Sequence, residues 1–249
     1  MTKRSGFQRS QKRGAGRNYD ESDTLAIEPV QKVFQKRVVS KLEPLNDTQK
    51  RYMTAINNKT LVFATGPAGT GKTYICAGMA ARALENNEIE KIIITRPAVE
   101  AGENLGFLPG ELEDKFDPYL APFRDALNEF LGKSYVELLI KREIIQAAPL
   151  AYMRGKTFKD AFVILDEAQN TTPIQMKMFL TRIGHNCRVI VNGDIGQKDI
   201  RGESGLGDAV ERCSWIPSVE VINFHRDDIV RSGLTQDIVT SYEAPAFLK

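Results

Sequence analysis

Short apolar runs alternate along this chain with longer amphipathic stretches. The runs are rich in valine and isoleucine, which suits strands buried on both faces of a sheet. The stretches between them carry apolar residues at helical spacing. The pattern therefore predicts an α/β fold, a mostly parallel sheet with helices on both faces. The predicted strands are 61–65, 91–96, 144–150 (a short strand or connector), 161–168, 187–194 and 219–224.

Helices are predicted in the gaps between these strands. Asn46 or Asp47 suits the N-cap of a helix that precedes the first strand. Further along, the helical pattern recurs between the remaining strands and again after the last one. The other predicted helices are 74–85, 118–141 (mostly helical), 172–183 and 228–245.

Charge divides the chain into a tail and a globular body. With 249 residues, 42% of them hydrophobic, the chain is long enough for one sizeable domain. Residues 1–17 hold six basic and no acidic side chains, so the net charge of +2 leaves about −4 (2 − 6) for the remainder. We predict a disordered basic tail over 1–24 and a single domain over 25–249, with 97–158 inserted between core strands. The tail either attracts nucleic acid or only aids solubility.

Cysteine and histidine usage bears on compartment and metal content. Three cysteines without a CxxC pair and two histidines argue against a disulfide framework, a zinc site or a histidine-rich metal centre. No apolar run approaches membrane-spanning length, and the N-terminus lacks the apolar core of a signal peptide. These features predict a cytoplasmic protein with no membrane partner.

The sequence GPAGTGKT lies between the first predicted strand and the helix that follows it. It fits the pattern GxxxxGK[ST], in which backbone N–H groups wrap phosphates, the lysine binds the β- and γ-phosphates and the final hydroxyl binds Mg²⁺. An ordinary glycine-rich turn is the alternative, which the strand–loop–helix context disfavours. The residues predicted to bind ATP here are Gly66, Pro67, Ala68, Gly69, Thr70, Gly71, Lys72 and Thr73, with Thr73 also a metal ligand.

The sequence FVILDE supplies the carboxylates that such a loop requires. Asp166, at the end of a predicted strand, is expected to hold Mg²⁺, and Glu167 to polarise the attacking water as a general base. Alone, this pair could simply cap a helix. Because it lies 94 positions after Lys72 (166 − 72), we interpret it as part of the same site.

Two glutamines are further candidates for this site. Gln197, in GDIGQ after the next strand, is expected to contact the γ-phosphate or the attacking water, although a turn with a helix cap would also explain the sequence. Gln49, shortly before the P-loop strand, is expected to hydrogen-bond the edge of adenine. A solvent-facing helix glutamine is the alternative for Gln49.

Longer segments of the sequence resemble one family. The P-loop, DEAQ and GDxxQ series is similar to that of superfamily 1 helicases. TRPAVEAGENLGFLPG (95–110), PLAYMRGKTFKDAFVILDEAQNTT (149–172) and FHRDDIVRSGLTQDIV (224–239) resemble, more narrowly, the PhoH-like family of phosphate starvation-inducible ATPases. The resemblance spans roughly 45–243 and implies a RecA-like P-loop NTPase using ATP and Mg²⁺. The short, basic-tailed form also resembles versions carried by bacteriophages, which would place it in the host cytoplasm.

The resemblance also implies an arginine that completes the ATP site. In superfamily 1 helicases a second RecA-like domain supplies it, and only 52 residues follow Gln197 here (249 − 197). An arginine is therefore expected from a neighbouring subunit, or is absent, which predicts a homo-oligomer, most simply a hexameric ring. Arg231 is the first candidate for this catalytic arginine finger in trans, ahead of Arg201 and Arg182. A surface arginine making salt bridges is the alternative.

Two loops are candidates for contact with single-stranded nucleic acid. In the first, Thr95 and Arg96 could bind phosphate and Phe107 could stack on a base, although the loop's glutamates would repel phosphate and Phe107 could be buried. In the second, Arg154 and Lys156 form a basic turn, which could equally be a structural contact. Neither loop carries a pattern that separates RNA from DNA.

Together these features favour an oligomeric ATPase that acts on single-stranded nucleic acid, with RNA more expected than DNA, as a helicase or translocase. The alternative is a regulatory or assembly ATPase with a protein client and no unwinding activity. A small-molecule kinase is a third hypothesis, disfavoured because DEAQ followed by GDxxQ suits hydrolysis better.

Overall fold

A computed structural model describes residues 40–97, 112–200, 202–230 and 233 of the chain. Within them, six strands form at or close to the predicted positions, and all six join one sheet. The strands are β1 (Leu61–Thr65), β2 (Lys91–Arg96), β3 (Ile145–Pro149), β4 (Ala161–Leu165), β5 (Cys187–Gly193) and β6 (Val219–Asn223).

The order of the strands is β3-β2-β4-β5-β1-β6, and every neighbouring pair is parallel. This confirms the predicted α/β class with a parallel sheet. Only β5 separates β1 from β4, so the carboxyl ends of these three strands lie side by side. In open parallel sheets, ligands bind at that edge, where loops converge.

The described residues contain six α-helices, one before β1 and five between strands, and three of them differ from the prediction. The stretch predicted over 118–141 is two helices, broken at Gly132, whose φ of 85° a helix cannot contain. A helix that begins after Ser204 was not predicted. The predicted helix over 228–245 lies almost entirely outside the described residues. The helices are α1 (Asp47–Asn58), α2 (Lys72–Glu85), α3 (Leu112–Leu131), α4 (Lys133–Lys141), α5 (Pro173–Leu180) and α6 (Gly205–Cys213).

The core has two parts, one on each face of the sheet. Successive strand residues point to opposite faces, so Val62 packs among buried residues of α1 to α4, whereas its neighbour Phe63 packs among those of α5 and α6. The sheet is therefore covered by helices on both faces, as predicted. Within the segment predicted as an insertion, β3 adds an edge strand beside β2. In the part of the chain described, no helix has the length and apolar character needed to cross a membrane.

Candidate nucleotide-binding site

The loop between β1 and α2 has the backbone of a phosphate cradle. Gly66, Gly69 and Gly71 have φ angles of 131°, 83° and 85°, in the region that favours glycine. Because Gly71 caps α2, the free N–H groups at the start of that helix face the loop, where an anion would be stabilised. A Cβ atom on Gly66 would lie 2.2 Å from the carbonyl oxygen of Phe224, which shows how tightly the loop packs against the chain after β6.

Lys72 holds its ammonium group inside this loop. Its Nζ donates to the carbonyl oxygens of Gly66 and Pro67, at 2.8 Å each, and lies 3.2 Å from Thr70 Oγ1. It also lies 5.8 Å from the centre of the Phe224 ring. Burial lowers the pKa of Lys72, while nearby carboxylates including Asp194 oppose that shift. The positive charge is therefore placed where a bound phosphate would lie.

The two predicted carboxylates stand at the end of β4, opposite the loop. Asp166 is 6% exposed, and its N–H donates to the carbonyl oxygen of Thr95 at 2.9 Å. Burial raises the pKa of Asp166 to about 6; the positive charge of Arg96 works against this shift and the charge of Glu167 adds to it. Asp166 and Glu167 share one cavity of about 400 Å³ with Lys72 and other P-loop residues.

Arg96 pairs with both carboxylates, a contact that the sequence did not reveal. Its Nη2 lies 3.2 Å from Asp166 Oδ2 and 2.9 Å from Glu167 Oε1. The neighbouring Thr95 is fully buried, and its hydroxyl has no hydrogen-bond partner among the described residues. In this conformation both side chains belong to the surroundings of the nucleotide site. The nucleic-acid contact predicted for them stays a prediction.

Gln169 connects the ends of β4 and β5. Its Nε2 donates to Glu167 Oε2 at 2.6 Å, and its Oε1 accepts from the N–H of Asp194 at 3.0 Å. The hydroxyl of Ser204 donates to its carbonyl oxygen at 2.9 Å. The side chain is 2% exposed. Gln169 thus follows the rule that buried polar groups have hydrogen-bond partners within the protein.

The two predicted glutamines occupy different positions. Gln197 is exposed, lines the cavity, and donates its N–H to the carbonyl oxygen of Asp194 at 3.0 Å. Gln49 is buried instead: its Nε2 donates to the carbonyl oxygen of Thr70 at 3.0 Å, and its Oε1 accepts from the N–H of Leu45 at 2.8 Å. Gln49 therefore stabilises the P-loop through its hydrogen bond to the backbone of Thr70. Its contact with adenine stays a prediction.

The remaining predicted residues lie away from the cavity or outside the description. Arg154 and Lys156 are exposed in the turn that follows β3, near Tyr152, which is 52% exposed and was not predicted. Arg182 is half-buried after α5. The predicted positions outside the described residues are Phe107, Arg201 and Arg231.

The oxygen atoms at this site suit Mg²⁺. The hydroxyl of Thr73 and the carboxylate of Asp166 line the same cavity. Mg²⁺ is commonly held by one or two protein oxygens, with phosphates and water completing its shell. Across the described ranges, no group of three or more histidine, cysteine, aspartate or glutamate residues is placed to hold a metal ion. The oxygen donors of Thr73 and Asp166, in one cavity with the P-loop, fit a magnesium ion that is shared with a nucleotide.

The parallel sheet, the P-loop after β1 and the carboxylates after β4 define the RecA-like P-loop fold. The family described as PhoH-like protein matches residues 41–243 of this chain. The chain therefore belongs to the PhoH-like family, and the resemblance found in the sequence is confirmed.

Curated relatives of the chain carry the same description. A PhoH-like protein of Bacillus subtilis (strain 168) is 53% identical over 197 residues, covering 78% of this chain and 62% of the relative. Protein PhoH of Escherichia coli (strain K12) is 48% identical over 220 residues, covering 87% of this chain and 62% of the relative. The chain thus spans about three fifths of the length of these relatives.

Two solved structures show a more distant likeness. The Pif1 helicase from Candida albicans aligns over 74% of this chain and 40% of its own, with a TM-score of 0.38 and 13% identity. The Sulfolobus solfataricus SWI2/SNF2 ATPase core in complex with dsDNA aligns over 62% and 34%, with a TM-score of 0.40 and 18% identity.

Proposed function

We propose that this chain binds and hydrolyses ATP with Mg²⁺ as cofactor. The observation that carries the proposal is that Lys72, Thr73, Asp166 and Glu167 line one cavity. Lys72 and the loop N–H groups neutralise the phosphate charge. Thr73 and Asp166 would hold Mg²⁺, which supplies further neutralisation of the phosphates when bound. Glu167 takes the proton of the attacking water, and Gln197 contacts that water or the γ-phosphate.

Two variants separate binding from hydrolysis. Glu167→Gln is expected to bind a fluorescent ATP analogue normally while turnover falls at least about 100-fold, since it lacks only the base. Lys72→Ala is expected to lose binding itself. Chelation of Mg²⁺ should abolish turnover in the wild-type protein. Unchanged turnover in Glu167→Gln would contradict the proposal.

We further propose a homo-oligomer, most simply a hexameric ring, in which an arginine of one subunit completes the site of the next. The support is chemical: an arginine near the transferred phosphate can contribute about 10³–10⁵ in rate. The arginine described at the carboxylates, Arg96, is already engaged with them. Arg231 remains the first candidate. It follows Val230, whose N–H donates to the carbonyl oxygen of Gly69 at 2.9 Å, so the chain that leads to it is attached to its own P-loop.

We propose that the partner is single-stranded nucleic acid, with RNA favoured over DNA, and that the protein works in the cytoplasm. Support comes from the exposed turn after β3, which combines a half-exposed aromatic ring, Tyr152, with the charges of Arg154 and Lys156. Aromatic stacking together with basic side chains is how proteins hold single strands.

The partner is tested by the response of ATP hydrolysis to polynucleotides. Turnover is measured alone, with single-stranded RNA and with single-stranded DNA, at several salt concentrations. Stimulation that fades as salt rises is expected, because phosphate contacts release counterions. If neither polynucleotide changes turnover at low salt, the nucleic-acid partner is contradicted and the alternative of a protein client is favoured.

A further inference from the structure

Both carboxylate oxygens of Glu167 are occupied by donors from the protein. Arg96 Nη2 lies 2.9 Å from Oε1, and Gln169 Nε2 lies 2.6 Å from Oε2. The same nitrogen of Arg96 lies 3.2 Å from Asp166 Oδ2. One guanidinium group therefore joins the proposed metal ligand to the proposed general base.

The sheet determines where this guanidinium stands. Arg96 is the last residue of β2, which pairs with β4 up to Thr95 opposite Leu165. The hydrogen bond from Asp166 N–H to the carbonyl oxygen of Thr95 extends that ladder by one step. The side chains of Arg96 and Asp166 are 19% and 9% exposed, so this ion pair is partly shielded from water and stronger than a pair at the surface. The side chain of Glu167 is 47% exposed, so its pair with Arg96 is more screened by water.

We propose that Arg96 is a positioning residue that holds Asp166 and Glu167 in a resting arrangement, and that it gives up part of this contact when Mg²⁺ and nucleotide bind. This inference rests on the proposed function, in which Asp166 binds Mg²⁺ and Glu167 acts on water. In the resting arrangement, the guanidinium shares the carboxylate oxygens that the magnesium ion and the attacking water need.

The guanidinium of Arg96 and a magnesium ion would compete for the same carboxylate oxygens. The guanidinium offsets part of the charge of two adjacent carboxylates, and a magnesium ion at Asp166 must share or displace that contact. Removing the positive charge should therefore strengthen Mg²⁺-dependent binding of nucleotide. An arginine that acted on the phosphates would behave in the opposite way, because its removal would weaken nucleotide binding.

The test is the Mg²⁺ dependence of binding of mant-ADP, a fluorescent nucleotide, by the full chain. In Arg96→Gln the Mg²⁺ concentration at half-saturation is expected to fall about tenfold, the equivalent of about 1.4 kcal/mol, because the competing positive charge is gone. Arg96→Lys keeps a charge but not the planar fork and should shift it less. Arg188→Gln is the matched control. Arg188 also lies on a strand, β5, and forms an ion pair with Glu88 at 2.7 Å, away from the cavity.

The outcomes separate this inference from the proposed function. An unchanged or raised half-saturating Mg²⁺ concentration in Arg96→Gln would overturn it, as would weaker mant-ADP binding at saturating Mg²⁺. If Arg96→Gln fails to fold by circular dichroism, the absence of any shift in Arg96→Lys overturns it. Because binding is measured without hydrolysis, a wild-type protein that binds mant-ADP but turns over no ATP would contradict the proposed function alone.

Discussion

Gln169 donates a hydrogen bond of 2.6 Å to the carboxylate of Glu167, while the other end of its amide accepts from the N–H of Asp194. The proposed general base is thus connected to the loop that carries Gln197. This loop lines the same cavity, so one buried amide joins the proposed base to the side of the site where Gln197 lies.

Gln169→Leu is therefore expected to lower kcat about tenfold while the KM for ATP changes little, because orientation of the base is lost and the P-loop is intact. The N–H of Asp194 would also lose its partner, at a cost of about 1–3 kcal/mol in stability. Steady-state ATP hydrolysis and thermal melting measure the two effects. Gln146→Leu is the control: Gln146 lies on β3, the change removes its hydrogen bond to the carbonyl oxygen of Glu143, and kcat should be kept. Equal losses of kcat in both variants would contradict this role.

Gly66→Ala is expected to be strongly destabilising, by about 3 kcal/mol or more, because the new Cβ would lie 2.2 Å from a backbone oxygen at a φ of 131°. Gly132→Ala is the matched control: its φ is 85°, but no atom lies within 4 Å of the added Cβ. The control keeps the backbone strain without the steric contact, so it should lose only about 1–3 kcal/mol. Denaturant unfolding without nucleotide compares the two, and equal losses would show that steric contact with Phe224 is unimportant.

Asp166→Asn is expected to stabilise the metal-free protein in a pH-dependent way. Burial raises the folded-state pKa of Asp166 to about 6 from an ordinary value of 3.8. The ionised Asp166 carboxylate therefore destabilises the folded protein. This destabilisation is absent below pH 3.8, grows as the pH rises from 3.8 to about 6, and is complete above about pH 6. The variant should gain on the order of 3 kcal/mol at pH 7.5 and little near pH 4. Urea unfolding in EDTA measures this; an equal gain at both pH values would contradict it.

The exposed turn after β3 gives a prediction about nucleic acid. Replacing Arg154 and Lys156 together by alanine should weaken binding of single-stranded RNA and reduce the slope of log K against log salt concentration by about 1.4, since two phosphate contacts with a single strand are lost. Tyr152→Ala should weaken binding by about 1–3 kcal/mol with the salt slope unchanged. Fluorescence anisotropy at several salt concentrations distinguishes them. Binding that is unaffected by all three changes would exclude this turn as the contact.

Arg231 is tested by mixing two inactive proteins. Arg231→Ala keeps its P-loop, and Lys72→Ala keeps Arg231, so a site that pairs them across a subunit boundary has both groups. In a 1:1 mixture of freely exchanging subunits, turnover should recover to about a quarter of wild type if the arginine acts in trans. No recovery is expected if it acts within its own chain. Gel filtration of the mixture, with ATP present, checks that the subunits assemble.

Much of the fold could be predicted because its signals are local. Each strand is a short apolar run, and its predicted bounds lie within a few residues of the observed ones. The helix α6 escaped prediction because it is short and carries two glycines in its first turn, Gly205 and Gly207, which are typical of turns. The break at Gly132 escaped it because helical spacing continues on both sides of the glycine.

The sequence by itself determined the P-loop and the acidic pair, because each is a contiguous motif whose chemistry depends on neighbouring residues. The tertiary structure decided what surrounds them. Arg96 meets Glu167 across 71 positions of chain only because β2 lies beside β4, and Gln169 reaches Asp194 only because β5 is the next strand. Strand order depends on packing over the whole sheet, and no local pattern encodes it. The sequence therefore specified the reacting groups, and the fold determined which side chains hold them.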